Sequence, residues 1–249
     1  MKRIAALCFL FVCGCTSLEV PPQFVYKEIE TSYFKLASWQ KITDSSAPYK
    51  FYIEGDGSAF NALGTVSSDP TPRGKLLREI AFGDNYENVI YLARPCQYVT
   101  DQHCQPQYWS DARFAPEVIR SEYEAVKKLA RQNPIILIGF SGGAQVAGLM
   151  AVKYQDLQIQ KLVTIAGNLD VKSWIMHHDL PQLGLSDDLR NYRDEYAKFT
   201  QVHYIGGKDW NIPLSVNENF IKDPLSIRII EGASHNRGWE AVYDQIRQE

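Results

Sequence analysis

The chain has 249 residues, 45% of them hydrophobic and 22% charged, and a formal net charge of −3. That length and apolar share suit one globular domain with a sizeable core. The near-neutral charge and the lack of a long basic run argue against nucleic acid as a partner, and past the first residues no apolar stretch is long enough for a spanning helix.

Met1-Lys2-Arg3 is a short positive segment, residues 4–12 are apolar but too few to cross a bilayer, and small residues follow. That is the layout of an export signal that is removed. The cleavage region reads Val12-Cys13-Gly14-Cys15, which resembles the lipobox of bacterial lipoproteins. The resemblance implies a signal peptide over 1–14 and a lipid on Cys15, which anchors the protein to a membrane. Thr16 after the cysteine, rather than an aspartate, implies the outer membrane of a bacterial cell envelope, on its periplasmic face. Residues 15–24 then form a short polar, proline-containing tether, reaching about 30 Å when extended.

From residue 24 onward the chain alternates between two periodicities. Strands are predicted over 24–29, 33–42 and 49–54, then a helix over 72–82 with Thr71 as N-cap and Pro72 at its first position. A strand follows over 88–93. A strongly amphipathic helix covers 116–131, with Val118, Ile119, Tyr123, Val126 and Leu129 near helical spacing. Residues 134–139 read as a buried strand, 142–154 as a helix and 161–166 as a strand. Strands over 200–205 and 226–230 and a helix over 238–247 complete the series. Strands separated by helices pair in parallel with helices on both faces, while the closely spaced first strands can pair antiparallel. Residues 168–198, rich in charge and aromatics, interrupt the alternation and are expected to form a small cap on a domain spanning 25–249.

Chemistry enters at Gly139-Phe140-Ser141-Gly142-Gly143, a G-x-S-x-G set between a predicted strand and a predicted helix. A sharp strand-to-helix turn lifts a serine Oγ clear of the sheet and aims backbone N–H groups at the reacting oxygen. A serine nucleophile needs a base and a group that holds the base in one tautomer. Two later strands run into Gly207-Lys208-Asp209-Trp210-Asn211-Ile212-Pro213 and Gly232-Ala233-Ser234-His235. Asp209 and His235 therefore sit past strand C-termini, on the sheet edge where Ser141 also lies and where ligands bind in open parallel sheets.

The Gly207 to Pro213 stretch resembles the G-x-D-x-x-[VI]-P acid loop of serine α/β-hydrolases such as dienelactone-hydrolase-like enzymes and prolyl peptidases. The resemblance implies the α/β-hydrolase fold: a mostly parallel central sheet, helices on both faces and a small cap. It makes Ser141 the nucleophile, Asp209 the orienting acid and His235 the general base. Asp170, after the strand 161–166, is a rival for the acid, and His177, His178 and His203 are weaker candidates for the base. The oxyanion would be held by the N–H of Gly142 and by a loop after an early strand. Glu54-Gly55-Asp56 resembles the family's His-Gly loop, with glutamate where histidine is common, which makes Asp56 the second backbone donor and Gly57 the next choice. A carboxylate so near an oxyanion opposes catalysis, so the Asp56 side chain must point away or be paired, with Arg94 as the expected partner.

Once Cys8 and Cys13 leave with the signal and Cys15 carries lipid, Cys96 and Cys104 remain. In an exported protein they most simply form a disulfide, with a metal site including His103 as the alternative. Trp109, Trp174 and Trp210 suggest an aromatic-lined mouth. The expected activity is cleavage of a small-molecule carboxylic ester or thioester by acyl transfer, with no cofactor and no metal. The alternative is a catalytically silent scaffold of the same fold that binds a partner in its cleft.

Overall fold

A computed structural model describes residues 19–61 and 63–249. The predicted signal peptide 1–14, the candidate lipidation residue Cys15 and the start of the tether lie outside the described residues. The tether's far end is already part of the domain: Phe24 is buried, with its ring centroid 4.8 Å from that of Phe82.

Eight strands form one sheet: β1 (Val25–Glu30), β2 (Lys35–Ile42), β3 (Tyr49–Ile53), β4 (Asn88–Leu92), β5 (Ile135–Phe140), β6 (Ile159–Ile165), β7 (Gln201–Gly206) and β8 (Ile227–Ile230). Their order is β1-β2-β4-β3-β5-β6-β7-β8. β2 pairs antiparallel with β1 and with β4, and every other pairing is parallel. Around the sheet lie α1 (Leu76–Phe82), α2 (Pro116–Ala130), α3 (Gly142–Lys153), α4 (Val171–His178), α5 (Arg193–Tyr196), α6 (Leu214–Asn217) and α7 (Tyr243–Gln248).

The central strands β3, β4 and β5 are buried at every position. Strand side chains alternate between faces, so these strands bury mostly apolar side chains on both, with Lys50 and Asn88 as buried polar exceptions. Phe51, Ile53 and Leu137 join Val118, Val126 and Leu149 in one core. Tyr52, Tyr91 and Ile138 join Leu77, Ile80, Trp239 and Ile246 in the other. α3 is buried on nearly every side, and this places the residue that precedes it. Gly143 permits the close fit, because a Cβ there would strike the main-chain oxygens of Ile53 and Glu54 at the end of β3.

Two predicted helices begin later than their sequence signals suggest. α1 starts at Leu76, with Lys75 as its N-cap, rather than at Pro72. The Thr71 hydroxyl does not cap the helix; it accepts the Tyr98 N–H at 2.9 Å, and the Thr71 N–H donates to Asp69 Oδ1. Residues 71–74 are thus spent on a loop-to-loop tie. At the C-terminus, Gly238 takes left-handed backbone (φ 83°) and Trp239 is fully buried. Regular helix therefore starts only at Tyr243, after a 3-10 turn at Glu240–Val242. Residues 168–198 fold as α4, a 3-10 turn at Leu189–Tyr192 and α5.

Candidate active site

Ser141 stands between β5 and α3 with φ 51° and ψ −122°, a conformation that non-glycine residues rarely adopt. Its N–H donates to Ile165 O at 3.0 Å, and its carbonyl accepts from the N–H groups of Ala144 and Asn168. The turn is thereby tied to the neighbouring strand end on one side and to its own helix on the other.

His235 reaches Ser141 from the loop after β8. That loop is shaped by Trp239, whose Nε1 donates to Ser234 O at 2.8 Å, and by the Ser234 N–H donating to Arg237 O. Asp209 follows β7, where the Lys208 N–H donates to Ala233 O and the Asp209 N–H to Gly206 O. Three groups of the folded chain then line up. His235 Nε2 lies 3.1 Å from Ser141 Oγ, and His235 Nδ1 lies 2.9 Å from Asp209 Oδ2. The other Asp209 oxygen accepts the N–H groups of Asn211 and Ile212 at 2.9 and 3.0 Å. The geometry suits the tautomer in which Nδ1–H donates to Asp209 Oδ2 and Nε2 faces Ser141 Oγ as an acceptor.

The rival residues are elsewhere. Asp170 caps α4 by accepting the Ser173 N–H at 2.9 Å and pairs with Arg190 at 3.0 Å. His203 is buried in β7, with Nδ1 2.9 Å from Thr164 Oγ1, and burial pushes its pKa down to about 4. His177 and His178 bond the main-chain oxygens of Trp210 and Asn211. Cys96 and Cys104 form a disulfide, and His103 stacks on Tyr33. No group of metal-ligating side chains is found among the described residues.

The loop after β3 meets the start of α3. Glu54 is buried, and burial raises its carboxyl pKa; it takes the Tyr91 hydroxyl at 2.5 Å and the Gly55 N–H at 2.9 Å. Gln97 closes the same loop from outside, donating to Gly55 O at 2.9 Å and accepting the Arg94 N–H. The Asp56 carboxylate abuts Gly142, filling the space that a Cβ there would need. It is paired twice, with Arg113 Nη1 at 2.9 Å and with Arg94 Nη1 at 3.4 Å. Arg94 also donates to Arg113 O. Behind Arg94, the Glu122 carboxyl is fully buried, 3.7 Å from Arg94 Nε, and neither of its oxygens has a hydrogen bond among the described residues. Burial pushes Glu122 up to about 8, against the opposing pull of Arg94.

These groups surround a cavity of about 1170 Å3 whose wall includes Asp56, Phe60, Arg113, Ser141, Trp174 and His235. Of the three tryptophans expected at the mouth, only Trp174 belongs to this wall. Trp109 is buried and donates to Ser67 O, and Trp210 projects into solvent, 74% exposed. Phe60 was not foreseen, nor was Arg113, which lies against the rings of both Phe60 and Trp174. Leu180 and Leu183 join Trp174 in bringing the 168–198 segment over the cavity.

The chain shares its architecture with many serine hydrolase structures. Est1E from Butyrivibrio proteoclasticus superposes with a TM-score of 0.60 at 16% identity, covering 90% of this chain and 96% of that one. The Pyrococcus furiosus esterase PF2001 gives 0.59 at 14% identity, covering 90% and 88%. An alpha-beta serine hydrolase homologue from Coxiella burnetii gives 0.57 at 14% identity, covering 90% and 94%. No protein-family model and no curated protein sequence matches the chain. At such identities the likeness defines the fold: this is an α/β-hydrolase fold.

The Glu122 environment sets a pH signature. Its folded pKa of about 8 lies above the 4.5 of a free carboxyl. The folded state therefore holds one more proton between those values, and this group's contribution to stability is greatest at the acid end and lost as pH rises towards 8. Glu122→Gln is expected to flatten the fall in melting temperature between pH 5 and pH 8 in thermal denaturation. Parallel curves for variant and wild type would show that Glu122 is ordinary.

Proposed function

We propose that the protein is a serine hydrolase that cleaves a carboxylic ester or thioester by acyl transfer. One observation carries the reading: the continuous hydrogen-bond chain Ser141 Oγ–His235–Asp209, at 3.1 and 2.9 Å, opening into a cavity of about 1170 Å3. The likeness to solved serine hydrolases and esterases supports it.

In the proposed reaction Ser141 Oγ attacks the carbonyl carbon while His235 Nε2 takes the hydroxyl proton. Asp209 accepts from Nδ1 throughout and stabilises the imidazolium without itself being protonated. The carbonyl oxygen, now negative, is held by the backbone N–H groups of Gly142 and Asp56, which act because they are already in place before charge develops. His235 then gives its proton to the departing alcohol or thiol. Water, deprotonated by the same imidazole, attacks the acyl-enzyme and releases the acid. The steps call on no cofactor or metal. Asp56 fits this role because Arg94 and Arg113 balance its carboxylate.

The protein is further proposed to be a lipoprotein, acylated at Cys15 and held at the periplasmic face of a bacterial outer membrane. The n-region, apolar run and Val12-Cys13-Gly14-Cys15 support this. The short tether then keeps the domain close to the bilayer.

Hydrolysis of p-nitrophenyl esters of increasing chain length, by wild type and by Ser141→Ala, tests the activity. Turnover is expected to fall at least about 1000-fold in the variant, as loss of a triad member generally does. Equal turnover in the two would remove Ser141 from the chemistry. For the anchor, Cys15→Ser is expected to move the protein from the membrane fraction to the soluble fraction. An unchanged distribution would rule out lipid on Cys15 as the anchor.

A further inference from the structure

One of the two N–H groups assigned to the oxyanion belongs to a peptide unit that is gripped from behind the cavity wall. Gly55 and Asp56 share that unit: its carbonyl is Gly55 O, and its N–H is that of Asp56. Gln97, in the loop after β4, donates from Nε2 to Gly55 O at 2.9 Å and accepts the Arg94 N–H on Oε1 at 3.1 Å. A main-chain carbonyl only accepts and a main-chain N–H only donates, so these partners fix which end of the Gln97 amide is which. The side chain is 1% exposed, with both ends bonded to main chain.

The surroundings hold this amide in place. Cys96 and Tyr98, on either side of it, both take left-handed backbone, with φ 68° and 63°. Cys96 is bonded to Cys104, and the Tyr98 N–H donates to Thr71 Oγ1 at 2.9 Å. Gln97 is thus presented from a bend fastened at both flanks. The loop it meets passes very close: a Cβ on Gly57 would come within 2.7 Å of Gln97 Nε2. A Cβ on Gly55 would come within 3.0 Å of Ser141 Cβ, so the gripped peptide also lies beside the nucleophile.

We infer that Gln97 is the positioning residue of the oxyanion hole, setting the direction of the Asp56 N–H through the Gly55 carbonyl. The inference rests on the serine hydrolase reading and its choice of Asp56 as a donor. No peptide bond among the described residues is cis, and in a planar trans unit the N–H points opposite to the carbonyl. Gripping Gly55 O therefore aims the Asp56 N–H away from Gln97. That N–H donates to no group among the described residues, and Asp56 belongs to the cavity wall. The bond to Gly55 O also polarises the peptide, which makes its N–H a stronger donor. Such a donor acts best when nothing has to reorganise as charge develops.

Full-length Gln97→Met and Gln97→Ala test the inference, with the p-nitrophenyl ester of the chain length that wild type hydrolyses best. Each variant is expected to lower kcat about 10- to 100-fold with KM within about threefold of wild type. That is less than the roughly 100- to 1000-fold cost of deleting an oxyanion donor, because the N–H is misaimed rather than removed. A trifluoromethyl ketone of the same chain length adds the serine oxygen to its carbonyl carbon and leaves an oxyanion. Its affinity is expected to weaken by the same factor as kcat/KM. Rates are expressed per active site, counted by end-point fluorophosphonate labelling, so loss of folded protein alone does not lower kcat. A kcat within about twofold of wild type in either variant overturns the inference, as does a loss of activity that leaves ketone binding unchanged. Wild type that neither hydrolyses any of the esters nor takes up fluorophosphonate is a separate outcome, in which the hydrolase reading fails and the role of Gln97 with it.

Discussion

The backbone at Ser141 is the constraint on which the rest of the structure depends. A serine held at φ 51° and ψ −122° carries conformational strain of about 1–3 kcal/mol. It persists because both flanking elements are immovable: β5 is buried throughout, and α3 is packed on nearly every side. The absence of side chains at Gly139 and Gly143 lets the helix start press against the strand ends. With the turn fixed, the loops after β3, β6, β7 and β8 each have one place to go. All four converge on the serine.

Electrostatics at the loop after β3 present a second problem, and the chain meets it by pairing. An aspartate beside the amides proposed to hold an oxyanion would oppose the reaction if left bare. Here the carboxylate serves as a strut: Arg94 and Arg113 grip it from two directions, and the arginines are joined to each other through Arg113 O. Glu122 lies 3.7 Å from Arg94 Nε, and burial raises its carboxyl pKa to about 8 against the pull of that guanidinium. Gln97, in the loop between the disulfide cysteines, fastens Gly55. The fixed charges thus maintain the shape of the loop whose backbone amides are proposed to hold the oxyanion.

Much of this was legible in the sequence because the signals are local or additive. Strand spacing and continuous apolar runs such as Ile135–Phe140 marked the sheet and its parallel half. Ser141, Asp209 and His235 could be grouped because each follows a strand C-terminus, and that edge is shared by construction in a parallel sheet. What escaped depended on tertiary partners. Thr71 looks like a helix cap until Tyr98 claims its hydroxyl. Trp210 looks like a cavity wall, but its loop turns it outward, while Asp209 beside it turns in. Arg113 and Asn168 lie in no motif, and only the folded chain brings one to Asp56 and the other to Ser141. The Asp56–Arg94 pairing was accessible because the need for a counter-charge can be stated before its geometry is known.

The central claim is that His235, oriented by Asp209, makes Ser141 the one activated serine of this chain. The most direct measurement is reaction of the full-length protein with a fluorophosphonate, followed by intact mass and peptide mapping, in wild type and His235→Ala. The account predicts a single phosphonyl adduct on Ser141, with the labelling rate falling at least about 100-fold in the variant. An unlabelled wild-type protein, an adduct on another serine, or equal labelling in the two proteins would contradict it.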